Sequence, residues 1–215
     1  MNVAYRVYQY DKRHRLKCPP TAYTQSKSFV KAFLQFVYIS TSSLTQSVID
    51  IDNVSRSVVS NAASFGVIHP GLSSRDDFLT VHESYKGPYD VFADEKGIVV
   101  GTSSTAVAVA DDNLVAIIPN GTSAGQFVYY GCWGLNYTTG ASSASFDIER
   151  IFRNSSGGSI VVAEIGMYCA STTGQSSPPP AVAFGFCILR DVLGATVTVL
   201  DGEYLKVKYT ITVSN

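Results

Sequence analysis

Apolar and polar positions alternate most clearly near the C-terminal end of the chain. Val197-Thr198-Val199-Leu200, then Asp201-Gly202, then residues 204–211 predict a β-hairpin. β-Branched and aromatic residues recur there with period two on either side of an Asp-Gly turn. Upstream, Phe146, Ile148 and Ile151 mark a strand, Asn154-Ser155-Ser156-Gly157-Gly158 a turn, and residues 159–169 a second apolar run, again of hairpin form. Gly97-Ile98-Val99-Val100-Gly101 predicts a buried strand between glycines. Residues 107–110, 114–118 and 126–130 are further strand candidates, with a turn at Asn120-Gly121. Residues 136–143 predict a polar loop, and residues 170–180 an exposed loop before a strand over 181–190. This many strands and turns predicts a mainly β protein, an antiparallel β-sandwich of immunoglobulin-like or jelly-roll type over residues 97–215.

The N-terminal third is patterned differently. Residues 1–21 predict a polar arm ending in Cys18-Pro19-Pro20. Phe29, Phe33, Phe36 and Val37 fall at helical spacing, with Ala32 and Ile39 on the same face. They predict one helix from Ser26 to about Ser40, capped by Thr24 or Ser26. Its β-branched end, residues 37–41, would also suit a strand. Short strands are expected at 47–51 and 56–60 around an Asp52-Asn53 turn. Residues 66–95 lose periodicity and predict a long loop or insertion. The organisation is then an arm with a helix over 1–45, short strands and the loop over 46–96, and the sandwich over 97–215. On this view residues 1–40 are dispensable for folding and dock on neighbours.

Charged residues make up 15% of the chain, below the roughly 25% of ordinary domains, and the net charge is −1. The polar but weakly charged exterior suits either faces covered by neighbouring subunits or a monomeric Ser/Thr-rich β protein. The charge balance gives no global pull on nucleic acid or membrane. Lys12, Arg13, Arg15 and Lys17 form a local basic cluster that could touch nucleic acid or an acidic neighbour, or simply be solvated. No apolar run approaches the roughly 20 residues that span a bilayer, and Met1 to Lys17 has no leader-like apolar segment. A cytosolic origin is expected, with no membrane partner.

Catalytic patterns are sparse. His14, His69 and His82 fit no triad or metal spacing, and there is no GxSxG elbow or phosphate loop. Asp147 and Glu149 alternate on one strand face, and Glu164 sits on the next strand. Their convergence could bind Ca²⁺ or act as an acid/base pair, but outward solvated acids explain them better. Asp111-Asp112-Asn113 suits a turn. None of the four cysteines is in a CxxC pair. Cys169 and Cys187 suit small core residues; a bridge between them is disfavoured in a reducing compartment. Sequons at Asn53, Asn120, Asn136 and Asn154 fit a Ser/Thr-rich chain. Tyr129, Tyr130, Trp133 and Tyr137 cluster within one Gly-interrupted stretch. They suit core packing, a subunit contact or stacking on sugar rings. With Phe29, Phe33 and Phe36 they are the candidate interface residues. No catalytic, cofactor or metal site is expected.

The segments SFVKAFLQFVYIS, IDIDNVSRSVVSNAASF, KGIVVGTSSTAVAVADDNLVAIIPNGTSAGQFVYYG, FDIERIFRNSSGGSIVVAEIGMYC and ILRDVLGATVTVLDGEYLKVKYTITV occur here in this order. Together they resemble a family of tailed-bacteriophage virion structural proteins. The resemblance covers most of the chain and is weak over 1–21 and 68–95. It implies a virion component, tail- or neck-associated, assembled in the bacterial cytoplasm with copies of itself and other virion proteins. A capsid decoration protein or a receptor- or glycan-binding module is the alternative.

Overall fold

Two turns and one asparagine organise the sandwich. In the structure, a computed structural model, residues 2–26, 29–42, 46–58, 94–172 and 183–215 are described. The strands are β1 (Asn2–Tyr10), β2 (Thr24–Ser26), β3 (Gln46–Ile49), β4 (Ser55–Val58), β5 (Gly97–Gly101), β6 (Phe127–Thr139), β7 (Ser143–Asn154), β8 (Ile160–Thr172), β9 (Ala183–Val199) and β10 (Tyr204–Ser214), with one helix, α1 (Lys31–Ser42). They form a five-stranded sheet in the order β2-β1-β10-β7-β6, a three-stranded sheet β5-β8-β9, and a two-stranded β3-β4. All pairs are antiparallel. Residues from the two larger sheets fill one core: Val7, Tyr129, Phe152 and Val207 from the first, Val99, Ile165, Phe186 and Val199 from the second. The mainly antiparallel β class is therefore as the residue pattern predicts.

Neither predicted hairpin pairs with itself. β9 and β10 lie in different sheets, and so do β7 and β8. The turns at Gly157 and Gly202, both at φ near +80°, arch the chain across the core. Turn residues specify a reversal, but the partner is chosen by which strand buries the matching face. Val199 faces the core from one sheet and Leu205 from the other. Fully buried Asn154 joins both arches. Its amide donates to Gly158 O at 2.7 Å and Val199 O at 2.8 Å, and its N–H donates to Glu203 O at 3.0 Å. Asn154→Ala strands the buried Val199 carbonyl and is expected to cost about 1–3 kcal/mol, read as a shift of the urea midpoint at constant slope.

The predicted arm over residues 1–21 is corrected by β1, which pairs along its length with β10. Val3, Tyr5 and Val7 alternate inward and are buried opposite Ile211, Tyr209 and Val207. Residues 1–40 are thus not a detachable appendage. The predicted helix starts later, at Lys31. Thr24 and Ser26 belong to β2 and cap nothing. Instead the helix entry is docked by backbone, Val30 N–H to Ile188 O (3.3 Å) and Lys31 N–H to Val109 O (2.8 Å). Phe36 is fully buried edge-on to Phe186 at 5.1 Å. β3 and β4 match the two short predicted strands, with Asn53 in the left-handed region at their turn.

Three further differences arise in the sandwich. Residues 107–110 form no strand, Ala108 giving its N–H to Asp111, and 114–118 shrinks to a single antiparallel bridge of Ile117 with Gly101, because Val115 and Ala116 give their N–H groups to the buried carboxylate of Glu164. Residues 136–139 extend β6 instead of opening a loop. β9 is continuous where two separate runs were expected. Predicted features over 66–93, including His69 and His82, and over 173–180 lie outside the described residues.

Neighbour relations among β5 to β9 follow the constant-type immunoglobulin sandwich. Chain-consecutive β6-β7 lie in one sheet, and β5-β8-β9 form the other. The departure is at β10. The last strand, not an early one, sits beside β7, and β1 sits outside it.

Candidate interaction surface

The three carboxylates considered as a site do not converge. Asp147 and Glu149 lie on β7 in the five-stranded sheet, while Glu164 lies on β8 in the other. Glu164 is fully buried. It accepts from Arg190 Nε at 2.8 Å and from the N–H groups of Val115 (3.3 Å) and Ala116 (2.8 Å). Arg190, also fully buried, donates to Asp111 Oδ2 (2.7 Å) and to Thr105 O (2.8 Å). Burial opposes the Arg190 cation, but Asp111 and Glu164 more than reverse it and raise its pKa. This network ties residues 105–116 to the second sheet. Gly101 makes room for it, since a Cβ there would meet Ala116 O and Glu164. Among the described residues no three His, Cys, Asp or Glu side chains group as metal ligands.

Cys169 and Cys187 are buried free thiols. Cys169 pairs across the ladder with Phe186 and Cys187 with Tyr168, so the two point to opposite faces. Burial pushes the Cys169 thiol up to about 12, away from nucleophile chemistry.

The outer face of the five-stranded sheet is a ladder of tyrosines and cations. Tyr8 lies under Arg6 (5.6 Å) and Lys206 (4.6 Å), and Tyr23 under Arg6 (4.9 Å) and Lys208 (5.6 Å). Tyr204 stacks with His14 at 4.3 Å and faces Arg153 at 5.7 Å. Glu149 holds Lys206 at 3.3 Å and Asp147 holds Lys208 at 3.1 Å. Much of this face is satisfied by its own side chains. In the basic cluster, Arg15 pairs with Asp11 and Lys17 with Glu203, both at 2.8 Å, while Lys12 and Arg13 are exposed.

Burial pushes the Asp147 carboxyl up, but hydrogen bonds from Thr210, Asn136 and Lys208 outweigh it and set the pKa below the ordinary 3.8. Glu203 behaves likewise. Burial raises it, and Lys17, the Leu200 N–H and Gln9 bring it below 4.5. A carboxyl depressed by folding contributes stability that is complete above its unfolded pKa and is lost as pH falls through the folded one. Urea midpoints are therefore expected to hold down to about pH 4.5 and then fall. An Asp147→Asn/Glu203→Gln variant should have a flatter acid limb.

Beyond the core, the five-stranded sheet projects as a ribbon. Gly134 to Ser143 is exposed throughout, spanning the end of β6, its turn and the start of β7. Tyr137 is 74% exposed, Val213 55%, Trp133 46%, Leu135 40% and Phe146 36%. Trp133 and Leu135 sit opposite Glu149 and Asp147 and share the outer face; Phe146 sits opposite Ile211 on the other. No charged residue occurs between Asp112 and Asp147. A bulge shapes the ribbon: Leu135 pairs with Asp147 and Thr138 with Ser145, leaving two residues against one. Asn136 takes φ of 55° there and donates to Asp147 Oδ2 at 3.0 Å.

The predicted interface residues divide accordingly. Tyr129 is a core residue, with its hydroxyl on Ile118 O at 2.6 Å and Arg150 over its ring. Phe36 is core as well. Phe29 and Phe33 stack at 4.2 Å and pack half-buried against the core, and Tyr130 is half-buried. Only Trp133 and Tyr137 fall on the exposed ribbon. Leu135, Phe146 and Val213 join them, and sequence reasoning missed all three. For Leu135 the uncharged run from 113 to 146 was the available signal. Asn154 and Asn120 are sequon asparagines with structural work: Asn120 Oδ1 accepts from the Tyr129 N–H at 2.9 Å. Comparison with known protein families, with curated proteins and with solved structures finds no match to this chain.

Proposed function

We propose that the protein is a structural component of a bacteriophage virion, tail- or neck-associated, that works by subunit–subunit contact. The observation that carries the assembly reading is the projecting ribbon. Trp133, Leu135, Tyr137, Phe146 and Val213 expose apolar surface on both sides of an uncharged sheet end. Exposed apolar groups on a strand that carries no charge of its own, beside Asp147 and Glu149 already held by Lys208 and Lys206, are what a subunit interface buries at low desolvation cost. The phage assignment rests on the resemblance of the five sequence segments. Copies of this chain and other virion proteins are the partners, and the virion is the location.

Purified particles should contain the chain at fixed copy number by quantitative mass spectrometry. A Leu135→Lys/Tyr137→Lys variant should fold, with an unchanged circular-dichroism spectrum. Its incorporation should fall ten-fold or more, since about 1.4 kcal/mol suffices for that factor. Normal occupancy of the variant would remove the ribbon from the reading. A second reading, a glycan-binding module on the virion surface, is favoured by the exposed rings of Trp133 and Tyr137. Glycan-array binding lost in Trp133→Ala would select it.

A further inference from the structure

We infer that β6 pairs with β6 of a second copy, so that the five-stranded sheet runs on across a two-fold axis. This rests on the assembly reading above and names its partner. The reason lies in where the sheet edges place their backbone hydrogen bonds. The outer edge of β5 is covered by residues 116–118, through Thr102 N–H to Ala116 O (2.8 Å) and Ile118 N–H to Val100 O (2.9 Å). The outer edge of β9 is met by Val30 N–H on Ile188 O and Ile51 N–H on Gly185 O. Further along, β9 leaves register between Val192 and Val197, which breaks the edge. β1 is covered by the short strand β2 and by Thr21 and Lys17, whose N–H groups donate to Val7 O and Gln9 O. The start of β6 is covered by residues 119–121.

From Gly134 to Thr139, β6 has no such cover among the described residues. The charges and prolines that usually protect an edge are absent from this stretch. The bulge at Asn136 is the one protective device present. It divides the edge into short runs, so side chains on both faces carry much of the contact.

Two features select a second copy as the occupant. An antiparallel copy brings no like charges face to face, because the strand and its turn carry none. A two-fold contact uses the same edge of both copies, and the opposite edge of the sheet offers only the three-residue β2, so pairing ends at two copies instead of growing into a fibre.

Single cysteines placed in turn at positions 134–139, in a Cys18→Ser background, test this on the full chain. A two-fold antiparallel pair brings at least one position to within about 5.5 Å of its own symmetry mate. Oxidation should give a covalent dimer there, and none from a control cysteine at Thr122. Sedimentation of the parent chain should show a dimer that rises with concentration and is lost in Leu135→Lys. Failure of every position to cross-link overturns the pairing. So does a parent chain still monomeric at about 1 mM, where a contact of roughly −4 kcal/mol is half formed. If the chain nevertheless enters particles normally, the assembly reading stands and the β6 pairing alone is lost.

Discussion

Replacing Arg190 with methionine is expected to lower the unfolding free energy by about 3–5 kcal/mol. The substitution keeps most of the apolar volume and removes the cation. It leaves Glu164, fully buried, without the group that neutralises it, removes the cation from Asp111, and takes the guanidinium donors from the carbonyls of Thr105 and Ala106. For a chain of this length each kcal/mol moves the melting midpoint by roughly 2–4 °C, so the drop should be about 6–20 °C. Glu164→Leu in the same background restores charge balance at the first position but strands the N–H groups of Val115 and Ala116. The double variant should therefore recover only part of the loss. A double-mutant cycle from urea melts measures the coupling directly, expected at about 0.5–3 kcal/mol. A loss below 1 kcal/mol for Arg190→Met would mean that the 105–116 segment is not held by this network.

Deleting residues 1–26 is expected to abolish cooperative folding. β1 places Val3, Tyr5 and Val7 in the core, with the Tyr5 ring edge-on to Tyr209 at 6.1 Å. Each such side chain contributes about 1.5–3 kcal/mol by burial, so three together approach the roughly 5–15 kcal/mol that stabilises a whole domain. The deletion also exposes the full length of β10 as a new edge. The expected product is aggregated or lacks a sharp thermal transition. A soluble truncated chain with a two-state melt near that of the parent would show that β1 is an accessory strand.

Strands were legible in the sequence where period two and turn residues coincided, as at 204–211 and around Asn154. Their partners were not. A turn written as Asp-Gly or Ser-Ser-Gly-Gly reverses the chain equally well within a sheet or across a core, and only the opposing buried faces decide. β1 escaped notice because Arg6, Tyr8 and Tyr10 make the outward positions long and polar, and Gln9 ends the inward row on a polar residue, which masks the inward Val3, Tyr5 and Val7. The course of β9 through Arg190 and Asp191 was hidden because two charges in a row look like a loop until Glu164 and Asp111 are placed beside Arg190. The aromatic cluster was legible as a surface candidate but not its division. Tyr129 turns inward opposite Phe152, and the bulge after it resets the register, so Trp133 turns out. Phe146 and Val213 follow the core side of their strands by period. They are exposed only because the sheet outruns the core there, and no local pattern encodes that.

The ribbon's role is most directly tested by amide hydrogen exchange over residues 134–139 and 143–147, compared between the free chain and the chain in assembled particles. The predicted result is strong protection of these peptides on assembly, with β5 and the centre of β8 unchanged. Equal exchange of the ribbon in both states would contradict it and would place the contact surface elsewhere on the molecule.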